Sequence, residues 1–221
     1  YTNIVIKGAI IMVGSKNCII RLCCYKNALY RFKSRGFVKF SSDNLADAVG
    51  VLPSQVRKDF SIFGISGNKR GGYQIDELIG KLNTILGKDS VQKVIIIGAG
   101  NIGTALMKYM GFEKEGFKIV ACFDIDPDKF NRAGGVLVLP LDELNDFVRA
   151  NEIKIGIIAV PDASAQAVLQ MMVAAGIKGV LNFAPISLKA QENVVINNVN
   201  LELELEYLLY FVNAKERAVK S

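Results

Sequence analysis

Two hydrophobic rhythms divide the chain. Up to about residue 90, apolar positions recur at helical spacing; beyond it they come in short continuous runs separated by helical segments. Residues 18–35, CIIRLCCYKNALYRFKSR, place Ile19, Leu22, Tyr25, Leu29 and Phe32 near one side. They predict an amphipathic helix with a basic outer face, stopped by Gly36. FVKF reads as a short strand. Ser41 or Ser42 can cap the next helix, SDNLADAV, which ends at Gly50. After the tight turn GVL, Pro53 fits the first turn of a third helix over 53–63. Helix, short turn, helix is the pattern of a helix-turn-helix. GISGNKRGGY then crowds four glycines around two cations, which suits a β-hairpin tip whose glycines take positive φ. A hairpin in that place is a wing. Residues 75–86 predict a linking helix ended by Gly87, and GKDSVQ a domain boundary.

The third helix has two distinct faces. At about 100° per residue, Val56, Phe60 and Phe63 share the buried one. Ser54, Arg57, Lys58 and Ser61 lie on the outer one, with Gln55 to its side. Arg57 can read guanine and Gln55 adenine, while Lys58 and the serines can hold phosphate. Asp59 sits at the core edge and reads as a structural partner. At the wing tip, Lys69 and Arg70 suit a minor groove or phosphates.

In the second half, KVIII (93–97), FKIVACF (117–123), GVLVL, KIGIIAV and GVLNF predict five strands. Helices are predicted between them at 101–110, in LDELNDFVRAN and at 162–175. Such alternation, with apolar strands, predicts a parallel sheet covered on both faces, an α/β architecture.

Charge sharpens the division. Residues 1–90 carry 14 Lys and Arg against 6 Asp and Glu; the remainder carries 13 against 15. A basic front half suits a polyanion, whereas the near-neutral back half does not. Cys18, Cys23, Cys24 and Cys122 form no C-x-x-C pair, and there is no histidine, so a metal site is not expected. Reduced thiols suit the cytoplasm. The apolar runs of YTNIVIKGAIIMVGSKN fall short of the roughly 20 residues that span a bilayer, so no membrane partner is expected. Residues 1–17 remain an unassigned arm.

The first strand of the back half runs into Gly98, Ala99, Gly100, Asn101, Ile102 and Gly103, at the opening of a helix. In that context G-x-G-x-x-G is a dinucleotide signature. Gly98 permits the turn, Gly100 lets pyrophosphate approach the backbone, and Gly103 allows close helix–strand packing. Asp124 closes the second strand, 26 residues after Gly98, a little beyond the usual spacing of about 20. Its carboxylate can bind ribose hydroxyls and would repel a 2′-phosphate, which favours NADH and NAD⁺ over their phosphorylated counterparts; Asp126 is a second carboxylate for that role. Hydride transfer to a carbonyl usually needs an acid or base, very often histidine. Here only lysines and tyrosines such as Tyr109 remain, and no substrate domain follows. Catalysis is therefore not expected.

The stretches SSDNLADAVGVLPSQVRKDFSIFGISGNKRGGY, IIGAGNIGTALMKYMGF, ACFDIDPDK and IKGVLNFAPISL resemble the Rex redox-sensing transcriptional repressors, over about residues 18–213. The resemblance implies a winged-helix DNA-binding domain at 18–88 and a Rossmann NAD(H)-binding domain at 89–199. It also implies a C-terminal helix at 200–221 that is exchanged in a homodimer, and a repressor that NADH releases from operator DNA. Leu201, Leu205, Leu208, Leu209 and Val212 give that terminal helix a broad apolar face. Leu52 stands where the family often has serine, and Asn200 where some members have aspartate. Tyr109, Val160, Pro161 and the run Asn182, Phe183, Ala184 and Pro185 are expected at the cofactor, the last six because they follow the fourth and fifth strands. Two other readings fit the same motifs: a small NAD-dependent oxidoreductase with an accessory basic domain, and a DNA-binding sensor of another nucleotide such as CoA.

Overall fold

The computed structural model describes residues 2–6, 9–13, 15–67, 72–130, 135–189 and 193–220. The chain divides into two compact units, Tyr1–Ser90 and Val91–Ser221.

The first unit opens with an antiparallel ribbon, β1 (Thr2–Ile6) and β2 (Ala9–Val13), from residues that offered no assignment in the sequence. Helix α1 (Lys16–Ser34) follows, capped by the Ser15 hydroxyl, which accepts from the Cys18 amide. After β3 (Lys39–Phe40), Ser41 and Asn44 form a reciprocal capping box at the start of α2 (Ser42–Val49). Gly50, at φ 76°, ends α2 in the left-handed conformation. Helix α3 (Pro53–Ile62) starts on Pro53 with no side-chain cap from Leu52. The return strand β4 (Tyr73–Gln74) pairs antiparallel with β3, and α4 (Ile75–Ile85) closes the unit. Ile65–Gly67 form no ladder. The wing tip, with Lys69 and Arg70, lies outside the described residues.

One core holds these helices together. Leu22, Tyr25, Leu29, Leu45, Val56, Phe60 and Leu82 are fully buried, with the Tyr25 and Phe60 rings edge to face at 5.6 Å. The helical spacing in α1 and the Val56–Phe60 pair in α3 therefore describe real inward faces.

The second unit is a six-stranded, fully parallel sheet in the order β10-β9-β8-β5-β6-β7. In chain order these are β5 (Gln92–Ile97), α5 (Asn101–Met107), α6 (Gly111–Lys114), β6 (Phe117–Asp124), β7 (Val138–Pro140), α7 (Leu144–Asn151), β8 (Ile155–Ile158), α8 (Asp162–Ala175), β9 (Gly179–Asn182), β10 (Val195–Asn198) and α9 (Leu201–Lys220). The predicted helix 101–110 ends at Met107, a second short helix follows beyond its predicted end at Gly111–Lys114, and β10 is a strand the apolar pattern did not announce. Alternate residues of β5 supply both cores. Ile95 and Ile97 face the layer of α7 and α8, whereas Val94 and Ile96 face the side of α5 and α6. The second face is incompletely covered. A concavity of about 340 Å³ lies over the strands, lined by Val94, Phe112, Ile119, Ile155, Leu181 and Val195.

Helix α9 has no inward face. Leu205 is 68% exposed and Leu209 59%, and every described side chain of the helix is exposed. Among the described residues, no helix is long and apolar enough to cross a membrane.

Candidate functional sites: a cationic helix face and a dinucleotide cleft

On α3, Ser54, Arg57, Lys58 and Ser61 are all exposed. Arg57 donates through Nη1 to Ser42 Oγ at 2.9 Å and lies 3.9 Å from Asp43, so the N-terminus of α2 steadies its guanidinium. The Ser61 hydroxyl donates to the Lys58 carbonyl at 2.8 Å. Gln55 stands apart from the strip. It is half-buried, and its amide donates to Asp59 Oδ1 at 2.8 Å.

Asp59 is the anchor of this face. It is 1% exposed and gathers five donors. Arg21 grips it with two bonds of 2.6 and 2.7 Å, Tyr25 donates at 2.9 Å, Cys18 Sγ at 3.4 Å, and Gln55 completes the set. Burial pushes the Asp59 carboxyl up, but the bonds from Arg21, Gln55, Tyr25 and Cys18 outweigh it and hold it below the ordinary range. Burial, then the Asp59 hydrogen bond, pushes the Cys18 thiol up to about 11. Cys18 is thus a buried donor and not a reactive thiolate. The network ties α3, whose outer face is cationic, to α1.

The second site lies at the C-terminal ends of β5, β6 and β8. The strand order reverses at β5, because β6 lies to one side of it and β8 to the other; ligands of open parallel sheets bind at such a switch point. An open cleft of about 580 Å³ occupies this position. Its lining includes Gly98, Gly100, Asp124, Val160, Pro161 and Met171. Gly98 has φ 105°, and a Cβ there would stand 2.5 Å from the Ala159 carbonyl oxygen, so only glycine fits. A Cβ on Gly103 would collide with the Gly98 carbonyl oxygen, which fixes the close approach of α5 to the strand end. Gly100 is different: a Cβ there meets nothing within 4 Å. Its open side is the space a pyrophosphate would use. Ala99, Asn101 and Ile102 complete the loop and the first turn of α5, with Asn101 and Ile102 exposed.

Asp124 is 7% exposed at the end of β6. Its Oδ2 accepts from the Ala99 amide at 2.7 Å and its Oδ1 from the Asp126 amide at 2.9 Å. Lys129 Nζ stands 3.2 Å from Oδ2 and 3.4 Å from Oδ1. Burial raises the carboxyl, but the two amides and the ammonium prevail and keep it ionised below the usual range. Sequence reasoning found Asp124 and missed Lys129, although the turn signal DPDK was there to show the chain doubling back.

The remaining expected residues are scattered. Tyr109 is 60% exposed, with its ring against Phe112 at 5.1 Å and over Gly111, and it does not line the cleft. Asn182 is fully buried and does not line it either. Its amide donates to the Ile186 carbonyl at 2.7 Å and to Asn198 Oδ1 at 2.9 Å, and its oxygen accepts from the Ala184 amide at 2.9 Å. It pins the turn after β9 to β10. Phe183 packs on the incompletely covered sheet face, Ala184 is buried on the other, and Pro185 is exposed. Among the described residues, no cluster of three or more His, Cys, Asp or Glu could hold a metal.

Comparison with known proteins agrees with this two-part construction. Residues 15–61 match a family described as putative DNA-binding protein N-terminus, and residues 89–186 one described as CoA binding domain. A protein of Desulforamulus reducens named redox-sensing transcriptional repressor Rex is 42% identical over 200 residues, covering 90% of this chain and 95% of that one. A solved structure of RSP in complex with β-NAD⁺ and operator DNA is similar at a TM-score of 0.88 and 38% identity, over 94% of this chain and 96% of that one. RSP in complex with β-NADH gives a TM-score of 0.81 and 37% identity, over 94% and 98%.

Proposed function

This chain belongs to the Rex family of redox-sensing transcriptional repressors, and from that we propose that it is a homodimeric repressor whose N-terminal unit holds operator DNA and whose C-terminal cleft binds NADH and NAD⁺. The observation that carries the reading is the cleft itself. A glycine turn in which Gly100, alone of the three motif glycines, leaves open space faces an ionised Asp124 across a parallel-sheet switch point. In this reading pyrophosphate lies along Gly98 to Gly103, and Asp124 takes ribose hydroxyls. Val160 and Pro161 line the nicotinamide end. Tyr109, Phe183, Ala184 and Pro185, which lie outside the lining of the cleft, contribute there once a second subunit or the cofactor is in place, and Asn182 contributes by holding the turn after β9.

On the DNA side, Arg57 contacts base edges. Lys58, Ser54, Ser61, Lys69 and Arg70 hold phosphates, and Gln55 reaches the duplex from its place beside Asp59. The incompletely covered sheet face and the exposed described side chains of α9 support exchange of that helix between two subunits. Oxidised nicotinamide is a cation and reduced nicotinamide is neutral, so an apolar, closed pocket disfavours NAD⁺. NADH then stabilises an arrangement of two recognition helices that no longer matches two half-sites.

The match to a family described by CoA keeps a nucleotide sensor of that kind as the second reading. A thermal-shift panel of NADH, NAD⁺, NADPH, CoA and ATP, with a gel shift on a duplex selected from a random pool, separates the two. The first reading expects the largest shift with NADH, and release of the duplex by NADH. A shift with CoA and none with NADH overturns it.

A further inference from the structure

We propose that Lys129 sets the charge of the ribose end of the cleft and thereby decides how firmly a 2′-phosphate is refused; this rests on the dinucleotide cleft proposed above. A carboxylate offers about four acceptor positions. On Asp124 the Ala99 and Asp126 amides take one on each oxygen, and the Lys129 ammonium faces both oxygens at once, at 3.2 and 3.4 Å. It therefore stands where a ribose diol would have to bond. The backbone fixes where this lysine starts. Pro127–Lys129 is a 3₁₀ turn, Asp126 Oδ1 accepts from the Asp128 amide, and the Lys129 amide donates to the Asp126 carbonyl. Its side chain stays 40% exposed, within 3.8 Å of Asp126 as well, and is able to swing.

The charges follow from these contacts. Two carboxylates and one ammonium leave the ribose end with a single net negative charge, which repels a phosphate dianion while tolerating a diol. Removing Lys129 doubles that negative charge. Removing the charge of Asp124 leaves the ammonium with Asp126 alone, 45% exposed, and free to take a phosphate as a point charge. An Asp124 substitution would thus do more than delete a repulsion: it would release a ready-made phosphate partner.

The test titrates the full chain with NADH and NADPH, read by nicotinamide fluorescence, in wild type, Asp124→Asn, Lys129→Met and the double variant. Asp124→Asn should bind NADPH about tenfold or more tighter than wild type, the scale of a hydrogen bond to a charged group. The double variant should lose that gain, and Lys129→Met alone should widen the preference for NADH over NADPH. A double variant that keeps the gain overturns the proposal, as does an unchanged NADPH to NADH ratio in Lys129→Met. If Asp124→Asn fails to fold, Lys129→Met, altered at a side chain open to solvent, decides alone. Wild type that binds no NADH overturns the cofactor reading, an outcome visible before any ratio is formed.

Discussion

Asp59 shows how a single side chain can set a functional surface without belonging to it. Its five donors come from α1 and α3, so the carboxylate fixes the roll of α3 on its neighbour. Asp59→Ala would strand Arg21, which is a quarter exposed, and Tyr25, which is not. A loss of about 3 kcal/mol is expected, the lower end for breaking a buried pair, measured by urea unfolding. The pH dependence has a definite sign. Because the folded carboxyl is held below its unfolded value of about 3.9, its contribution is complete above that pH. It fades as pH falls through the lower folded value. The stability gap between wild type and Asp59→Asn should therefore be constant from pH 7 to 5 and shrink below about pH 4. A gap that widens in acid would contradict the hydrogen-bonding pattern. The helical wheel placed Asp59 at the core edge correctly, but its partner Arg21 lies 38 residues away, and nothing in local spacing encodes that. The bond from Gln55 was legible, since a glutamine four residues before an aspartate on one helix is a neighbour pair.

At the scale of elements, runs that bury apolar residues were the readable ones. The parallel strands and α8 announce themselves because each is buried along its length or along a clear stripe. By contrast β10, VINN, sits at the sheet edge with Val195 and two asparagines exposed, and the bonds of Asn198 add to its backbone ladder with β9. An edge strand that partly buries a single apolar side chain leaves little hydrophobic signature. Asn200, noted in the sequence only as a departure from aspartate, proves to cap α9 by accepting from the Glu202 and Leu203 amides at 2.9 and 3.2 Å. Asn200→Ala should lower α9 stability by about 1 kcal/mol, detectable as faster amide exchange in its first turn. Cutting the chain before Leu201 removes the whole apolar helix. At roughly 1.5–3 kcal/mol per buried leucine, the truncated protein should scatter light as a monomer and lose tight duplex binding, with every exposed cation of α3 still present. A truncated dimer that still releases DNA with NADH would refute exchange of α9.

At the scale of the molecule, the two halves invite separate damage. Gly100→Leu fills the open space beside Gly100, so NADH binding should vanish in calorimetry while duplex binding persists. Conversely, Arg57→Ala should cost about 1–3 kcal/mol and relax sequence preference if it contacts a base. Neutralising Lys69 and Arg70 should weaken all sequences alike and flatten the salt dependence. The split of charge between the halves was visible in composition alone, and the βα alternation in the hydrophobic pattern. Which residues meet across the cleft was less visible: the strand-end rule pointed to Val160, Pro161 and Asn182 to Pro185 alike, yet the first two line the cleft and Asn182 is buried outside its lining.

The incompletely covered sheet face and the exposed α9 also bear on dosage. If two chains exchange α9 as proposed, their stability is governed by mass action, so the melting temperature should climb with protein concentration. While chains are scarce, the population of paired molecules grows with the square of chain number. Gene silencing by such a protein would set in over a narrow range of expression level, even before any metabolite is sensed.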